Sequence, residues 1–451
     1  MVRGKLATFL YALAIVFLPF SYAIKAMLGL AGFPWIDPCL ILALLVFVLM
    51  KAPMGDKRAL WMVTWAFVSA LIGSFFLDVS LDRGKAPVYV EYAEPVRLAL
   101  TVVWFWISIE FFKNKLDFVV RWLVVSVTAQ FCLACYLYAA MLDLVPVPTP
   151  VAVYLTIYKA RQVLWFGDLA IYRMNGTFDE SPPFGLFMFS CLVIFFLCLI
   201  DTNKLVVKRK WAIFGGSVSL IGAVAALSDQ IFLGLLVFGV VWYFAVRRES
   251  QDRSTLRRFT EALVGIAILI FAGNYLAQSI KGKLLEAASA SSVPIGVIGS
   301  VEGTSGAERA FHLHYGLGLL EEMPLAVFTG IGPGRYGDYA IRTGLFESTV
   351  TIQNMPLNWL VEYGLFGSGL IGLWLFEIIT VARQRYGSLV LGACIGLLIA
   401  SISQANWMWE SWFLAWAFLS TRRESYAVPS APAHRGTSNN PILPAVLPTF
   451  S

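Results

Sequence analysis

Long apolar runs, separated by short basic stretches, constrain this chain more than any other feature. Twelve runs, centred near residues 15, 43, 68, 103, 130, 192, 219, 239, 267, 368, 396 and 414, approach the ~20 residues that one helical bilayer crossing needs. Hydrophobic residues make up 59% of the 451 positions and charged residues 14%, where a soluble domain carries about 25% charged residues. The expected fold class is therefore all-α: a polytopic membrane protein of about twelve transmembrane helices. The division within 211–246 rests only on Ser228, Asp229 and Gln230, and the last run is short enough to lie at an interface.

Orientation follows from the basic residues, which collect in alternate loops. Arg3 and Lys5, then Lys51, Lys57 and Arg58, then Lys113 and Lys115, fall on one side. So do Lys204 to Lys210, Arg247 to Arg258, Arg383 with Arg385, and Arg422 with Arg423. This is the positive-inside pattern of an even number of crossings with both termini cytoplasmic. The net charge of +6 is spread over these clusters, so it marks membrane orientation and not a nucleic-acid face. The first run follows Arg3 and Lys5 without a small-residue cleavage site and reads as a retained signal anchor.

The resulting layout has five helices in 1–142, an outer loop at 143–182, four helices in 183–278 and a larger outer loop at 279–356. Three helices follow in 357–421, then a tail at 422–451 rich in Pro, Ala, Ser and Asn, which reads as disordered and cytoplasmic. The stretch VAVYLTIYKARQVLWFGDLAIY in the first outer loop mixes aromatic and aliphatic residues with Lys159 and Arg161. It suits a helix on the membrane surface, a re-entrant segment or a covering lid. YRMNGTFDESPPFG closes that loop and places Arg173 and Glu180 at the outer mouth of the sixth run, with Pro182 and Pro183 at its start.

In the second outer loop, ERAFHLHYGLGLLEEM reads as helical, with Arg309, His312 and Leu313 on one face. His312 and His314 do not share a face, and no metal site is expected. TGIGPGRYGDYAIRTG follows; its glycines permit close backbone approach, and its successive N–H groups could form an anion nest. In QNMPLNWLVEYGLFGSGLIG, Pro356 suits a helix start, and Asn354, Asn358 and Glu362 recur every four residues as one polar stripe. Gly364, Gly367 and Gly369 allow close helix packing. Five arginines, Arg161, Arg173, Arg309, Arg335 and Arg342, fall on the outer side, where positive residues are disfavoured. Guanidinium groups there suggest an anionic ligand, phosphate above all. The six cysteines all lie in apolar runs, and Cys132-x-x-Cys135 is read with them as small buried hydrophobes.

The order of these segments resembles the O-antigen ligase and polymerase superfamily of bacterial envelope glycosyltransferases. The resemblance is carried by Arg173-Met-Asn-Gly176-Thr-Phe178-Asp-Glu180-Ser-Pro182, by Arg309 at a helix start, and by Gly330-Ile-Gly332-Pro-Gly334 after Pro324. Gln353-Asn354 followed by Glu362-Tyr-Gly364-Leu-Phe-Gly367 completes it, so that it spans about 170 to 380. Two departures stand out. Leu227-Ser228-Asp229-Gln230 occupies the place of a Ser-Arg-Gly, and Gln353 the place of the ligases' histidine. Glu180 and the missing histidine favour polymerase over ligase.

The resemblance implies a GT-C-like fold in the bacterial inner membrane with a periplasmic active site. The implied reaction polymerises undecaprenyl-pyrophosphate-linked repeat units into O-antigen, capsule or exopolysaccharide. Arg173 and Arg309, with Arg161 or Arg335, would neutralise the leaving pyrophosphate, and Glu180 or His312 would take the acceptor proton. Gly332, Gly334, Gln353, Asn354, Asn358 and Glu362 would line the substrate site. No cofactor is implied; the partners would be the lipid-linked glycan, the bilayer, a chain-length regulator and a flippase. The alternatives are a ligase acting on lipid A core or protein, a polysaccharide or lipid-linked sugar transporter, and a structural partner in polysaccharide assembly.

Overall fold

The computed structural model describes residues 2–27, 36–52, 57–81, 88–146, 148, 163–166, 169–178, 181–200, 207–249, 315–342, 352, 354–402 and 410–421. All lie in one unit, Met1–Thr421. The expectations for Arg161, Glu180, Arg309, His312, Gln353, the run near 267 and the tail fall outside these residues.

The helices are α1 (Val2–Phe17), α2 (Ser21–Met27), α3 (Pro38–Met50), α4 (Lys57–Leu81), α5 (Val88–Asn114) and α6 (Leu116–Met141). After a hairpin come α7 (Ser181–Ile200), α8 (Arg209–Ala225), α9 (Asp229–Glu249) and α10 (315–322). The last are α11 (Ala326–Thr329), α12 (Arg335–Arg342), α13 (Met355–Tyr386), α14 (Leu389–Ser401) and α15 (Glu410–Ser420). Six helices among the described residues are long and apolar enough to cross a membrane, and three further apolar helices are shorter. The architecture is that of an α-helical membrane protein, and large apolar side chains such as Phe9, Val48, Phe75, Ile221 and Phe376 stand exposed on its surface, where a lipid-facing bundle needs them.

The doubtful division within 211–246 is a real break. Leu227 has a positive φ of 46°, between the end of α8 and the start of α9, and interrupts the helical ladder. The stretch before α7, read as a surface helix, a re-entrant segment or a covering lid, contains a hairpin. Val163–Phe166 and Leu169–Tyr172 pair antiparallel, Phe166 opposite Leu169. VLWF and LAIY are rich in aromatic and β-branched residues, and the sequence between them is Gly-Asp, so strand propensity and turn composition prevail over the amphipathic pattern.

Two helices form the middle of the bundle. In α15 every residue from Glu410 to Leu419 is buried, and α7 is buried from Pro183 to Cys198. A helix apolar on all sides belongs in such a position. The α7 helix packs on α8 and α15, α15 on α5, and α9 on α14. The tight seams contain glycine: a Cβ at Gly215 would lie 2.5 Å from the Phe195 ring. Four cysteines, Cys39, Cys191, Cys198 and Cys394, are buried as expected; Cys132 instead faces outward and Cys135 is half-buried, on the outer side of α6.

Candidate functional site

The segment before α7 is fixed from three sides. Gly176 adopts φ 57°, and Asn175 closes the turn by donating to the Phe178 carbonyl at 2.9 Å. Met174 N donates to the Ala225 carbonyl at the end of α8. The Thr177 hydroxyl contacts the Pro19 carbonyl and Gln130 Oε1, both buried. A Cβ at Gly176 would lie 2.3 Å from Gln130 Nε2. Thus Arg173-Met-Asn-Gly-Thr-Phe is seated against α6, α8 and the 3₁₀ turn Leu18–Phe20, and Arg173 is half-buried beside it.

From that turn the polar contacts run inward. Ser21 Oγ donates to Asp37 Oδ1 at 2.9 Å, and the same carboxylate caps α3 by accepting from Cys39 N. Lys25 is buried nearby; burial first, and the Arg97 charge second, pull its ammonium below the ordinary lysine value, while Asp37, Glu410 and Glu94 oppose that pull. Arg97 lies 3.6 Å from the Glu410 carboxylate and 4.0 Å from that of Glu94. Trp104 Nε1 donates to the Glu410 carbonyl at 2.9 Å and fixes the start of α15. Buried charges of this kind, at the ends of apolar helices, are costly and mark function or a structural lock.

Glu94 joins this group to the glycine-rich loop. A Cβ at Gly334 would touch Glu94 Cγ at 2.8 Å, and Gly334 N–H donates to the buried Glu362 carboxylate, which Asn358 also contacts. Arg335 is almost wholly buried, its stem against Gly332. Asn354 caps α13, its side chain accepting from Leu357 N at 3.1 Å, and Pro356 occupies the first turn as expected. The glycine-rich backbone thus lies against the chain's own Glu362 and Glu94, where the nest reading expects a ligand.

Of the twelve expected site residues, Arg173, Gly332, Gly334, Arg335, Asn354, Asn358 and Glu362 are described. Gly332, Gly334, Arg335, Asn358 and Glu362 form one buried neighbourhood, with Asn354 at its helix end. Sequence reasoning missed Lys25, Asp37, Glu94, Arg97 and Glu410. They are scattered over four segments of the sequence, yet Glu94-Pro95-Val-Arg97 and the lone carboxylate in Trp-Met-Trp-Glu410-Ser-Trp were available signs, since ionisable groups beside apolar runs are rarely idle. Four carboxylates (Asp37, Glu94, Glu362, Glu410) accompany three cations (Lys25, Arg97, Arg335) in this described group. It is close to charge balance, not strongly cationic. Compared with known protein families, with curated proteins and with solved structures, the chain has no match in any of the three.

Proposed function

We propose that the chain is a membrane glycosyltransferase that polymerises lipid-linked oligosaccharide repeat units at the outer face of a bacterial inner membrane, with a GT-C-like arrangement of its helices. One observation carries this reading: guanidinium and carboxylate groups from α5, α12, α13 and α15 gather in one largely buried group, next to a glycine-rich backbone.

Such a group suits a reaction in which an anion departs and a hydroxyl loses its proton. The acceptor sugar oxygen bonds to the anomeric carbon of the donor glycan. The bond from that carbon to the pyrophosphate oxygen breaks, and undecaprenyl pyrophosphate leaves with the electron pair. The hydroxyl proton passes to a side-chain base and then to water. Arg173 and Arg309, with Arg161 or Arg335, stabilise the departing charge, and Glu180 or His312 takes the proton. Asn358 and Glu362 orient the acceptor. A chain-length regulator and a flippase are the partners of such an enzyme.

The test is to supply the purified protein with lipid-linked repeat units and resolve the products by size. A polymerase yields a ladder of longer lipid-linked chains that Arg173→Ala and Arg309→Ala abolish. Transfer only on addition of lipid A core identifies a ligase. A transporter reading draws on the buried charges and on the break in α13 at Gly364, features that transporters share; it predicts no new glycosidic bond with either acceptor.

A further inference from the structure

The longest helix, α13, is interrupted at Gly364, with φ 65° and ψ −175°. A break inside a helix releases carbonyl groups that its own next turn would have bonded. Here those ahead of the break are taken by other parts of the chain. Ile331 N donates to the Val361 carbonyl at 2.9 Å, and Gly332 N to that of Glu362 at 3.0 Å. The other two donors are side chains of α4: Ser69 Oγ to the Glu362 carbonyl at 2.9 Å, and Trp65 Nε1 to that of Tyr363 at 2.8 Å.

No side chain fits at the crossing. A Cβ at Gly330 would lie 2.2 Å from the Glu362 carbonyl oxygen, one at Gly364 2.3 Å from that of Phe328, and one at Gly73 1.7 Å from that of Ile331. The loop, α4 and the broken end of α13 are therefore interlocked. Glu362 is fixed twice at this crossing, its carbonyl by Ser69 and Gly332 and its carboxylate by Gly334 N–H. Trp65 and Ser69 sit four residues apart on one face of α4. Packing alone would be met there by apolar residues; two polar donors aimed at consecutive carbonyls fix the rotation and height of the half-helix.

We propose that Trp65 and Ser69 are positioning residues for Glu362, holding the end of the half-helix so that its carboxylate faces Gly334 and Glu94. The inference rests on the proposed role of Glu362 at the acceptor. It is tested by reacting purified full-length protein in detergent with an apolar carbodiimide and following modification of Glu362 by mass spectrometry. Glu377, on the surface beside Arg58, serves as the internal reference. Ser69→Ala and Trp65→Phe change the Glu362 modification rate by about fivefold, the factor expected for one lost hydrogen bond. Ser69→Thr keeps the wild-type rate, and Glu377 is unaffected throughout. Equal Glu362 rates in all four proteins overturn the inference. Elongation of lipid-linked chains is measured on the same samples. Both variants lower kcat/KM by about tenfold, within the loss that small misplacements cause, when compared at equal folded fraction, with Ser69→Thr active. Absence of elongation in the wild type would count against the proposed reaction, while the labelling result would still decide the positioning role.

Discussion

Arg97 is the residue on which the buried charges most depend. It stands between Glu94 and Glu410, with Asp37 also in electrostatic reach. Replacing it by an apolar side chain leaves three carboxylates without that guanidinium in a water-poor setting. Arg97→Met is expected to lower unfolding free energy by about 3–5 kcal/mol, as for other broken buried pairs, measured by denaturant unfolding in detergent. Glycines divide sharply at this scale. Gly330 has φ 74° and no room for a methyl group, whereas nothing lies within 4 Å of a Cβ at Gly369. Gly330→Ala should destabilise by at least about 2 kcal/mol through strain and contact with the Glu362 carbonyl, while Gly369→Ala leaves the thermal midpoint unchanged. The expectation that Gly364, Gly367 and Gly369 all serve close packing holds for Gly367, beside Trp65, and for Gly364, against Phe328 and Gly330, which also makes the break; Gly369 faces open space.

Among the elements, the turn before α7 and the break in α13 set the geometry of the site. The turn depends on Thr177, which contacts both Pro19 and Gln130. Thr177→Val removes the donor and leaves buried acceptors, so a loss of about 1–3 kcal/mol is expected, read as a lower thermal midpoint. Helix positions were legible because long apolar runs permit few alternatives, though six helices among the described residues have bilayer length where twelve were expected; the helix start at Pro356 follows a local rule that the sequence displays openly. The hairpin at 163–172 was harder to see, since aromatic and aliphatic residues around two basic groups fit a surface helix as well as two strands. The break at Gly364 was hidden because a glycine in an apolar run reads as a packing residue; only the loop 330–334, distant in sequence, supplies the donors that make the break tolerable.

At the scale of the whole molecule, five of the site's charged residues were illegible for the same reason: Lys25, Asp37, Glu94, Arg97 and Glu410 become one group only when α2, α3, α5 and α15 come together. Of the polar stripe, Asn358 and Glu362 were visible because they recur within one helix, whereas Asn354 precedes that helix and caps it. The basic clusters predict sidedness. A cysteine placed at Asp143, at the end of α6, should react with an impermeant maleimide in intact cells, and one at Lys51, after α3, only after permeabilisation; both positions are exposed. The claim on which the account turns is that the buried group around Glu362 handles a lipid-linked glycan. Its most direct measurement is elongation of purified lipid-linked repeat units by the wild type and by Glu362→Gln, which keeps size and polarity and removes the carboxyl group. The account predicts a ladder from the wild type and a loss of at least about tenfold in the variant, as befits a group that orients the acceptor, at equal folded fraction. Equal ladders from both proteins, or none from either under conditions where both are folded, would contradict it.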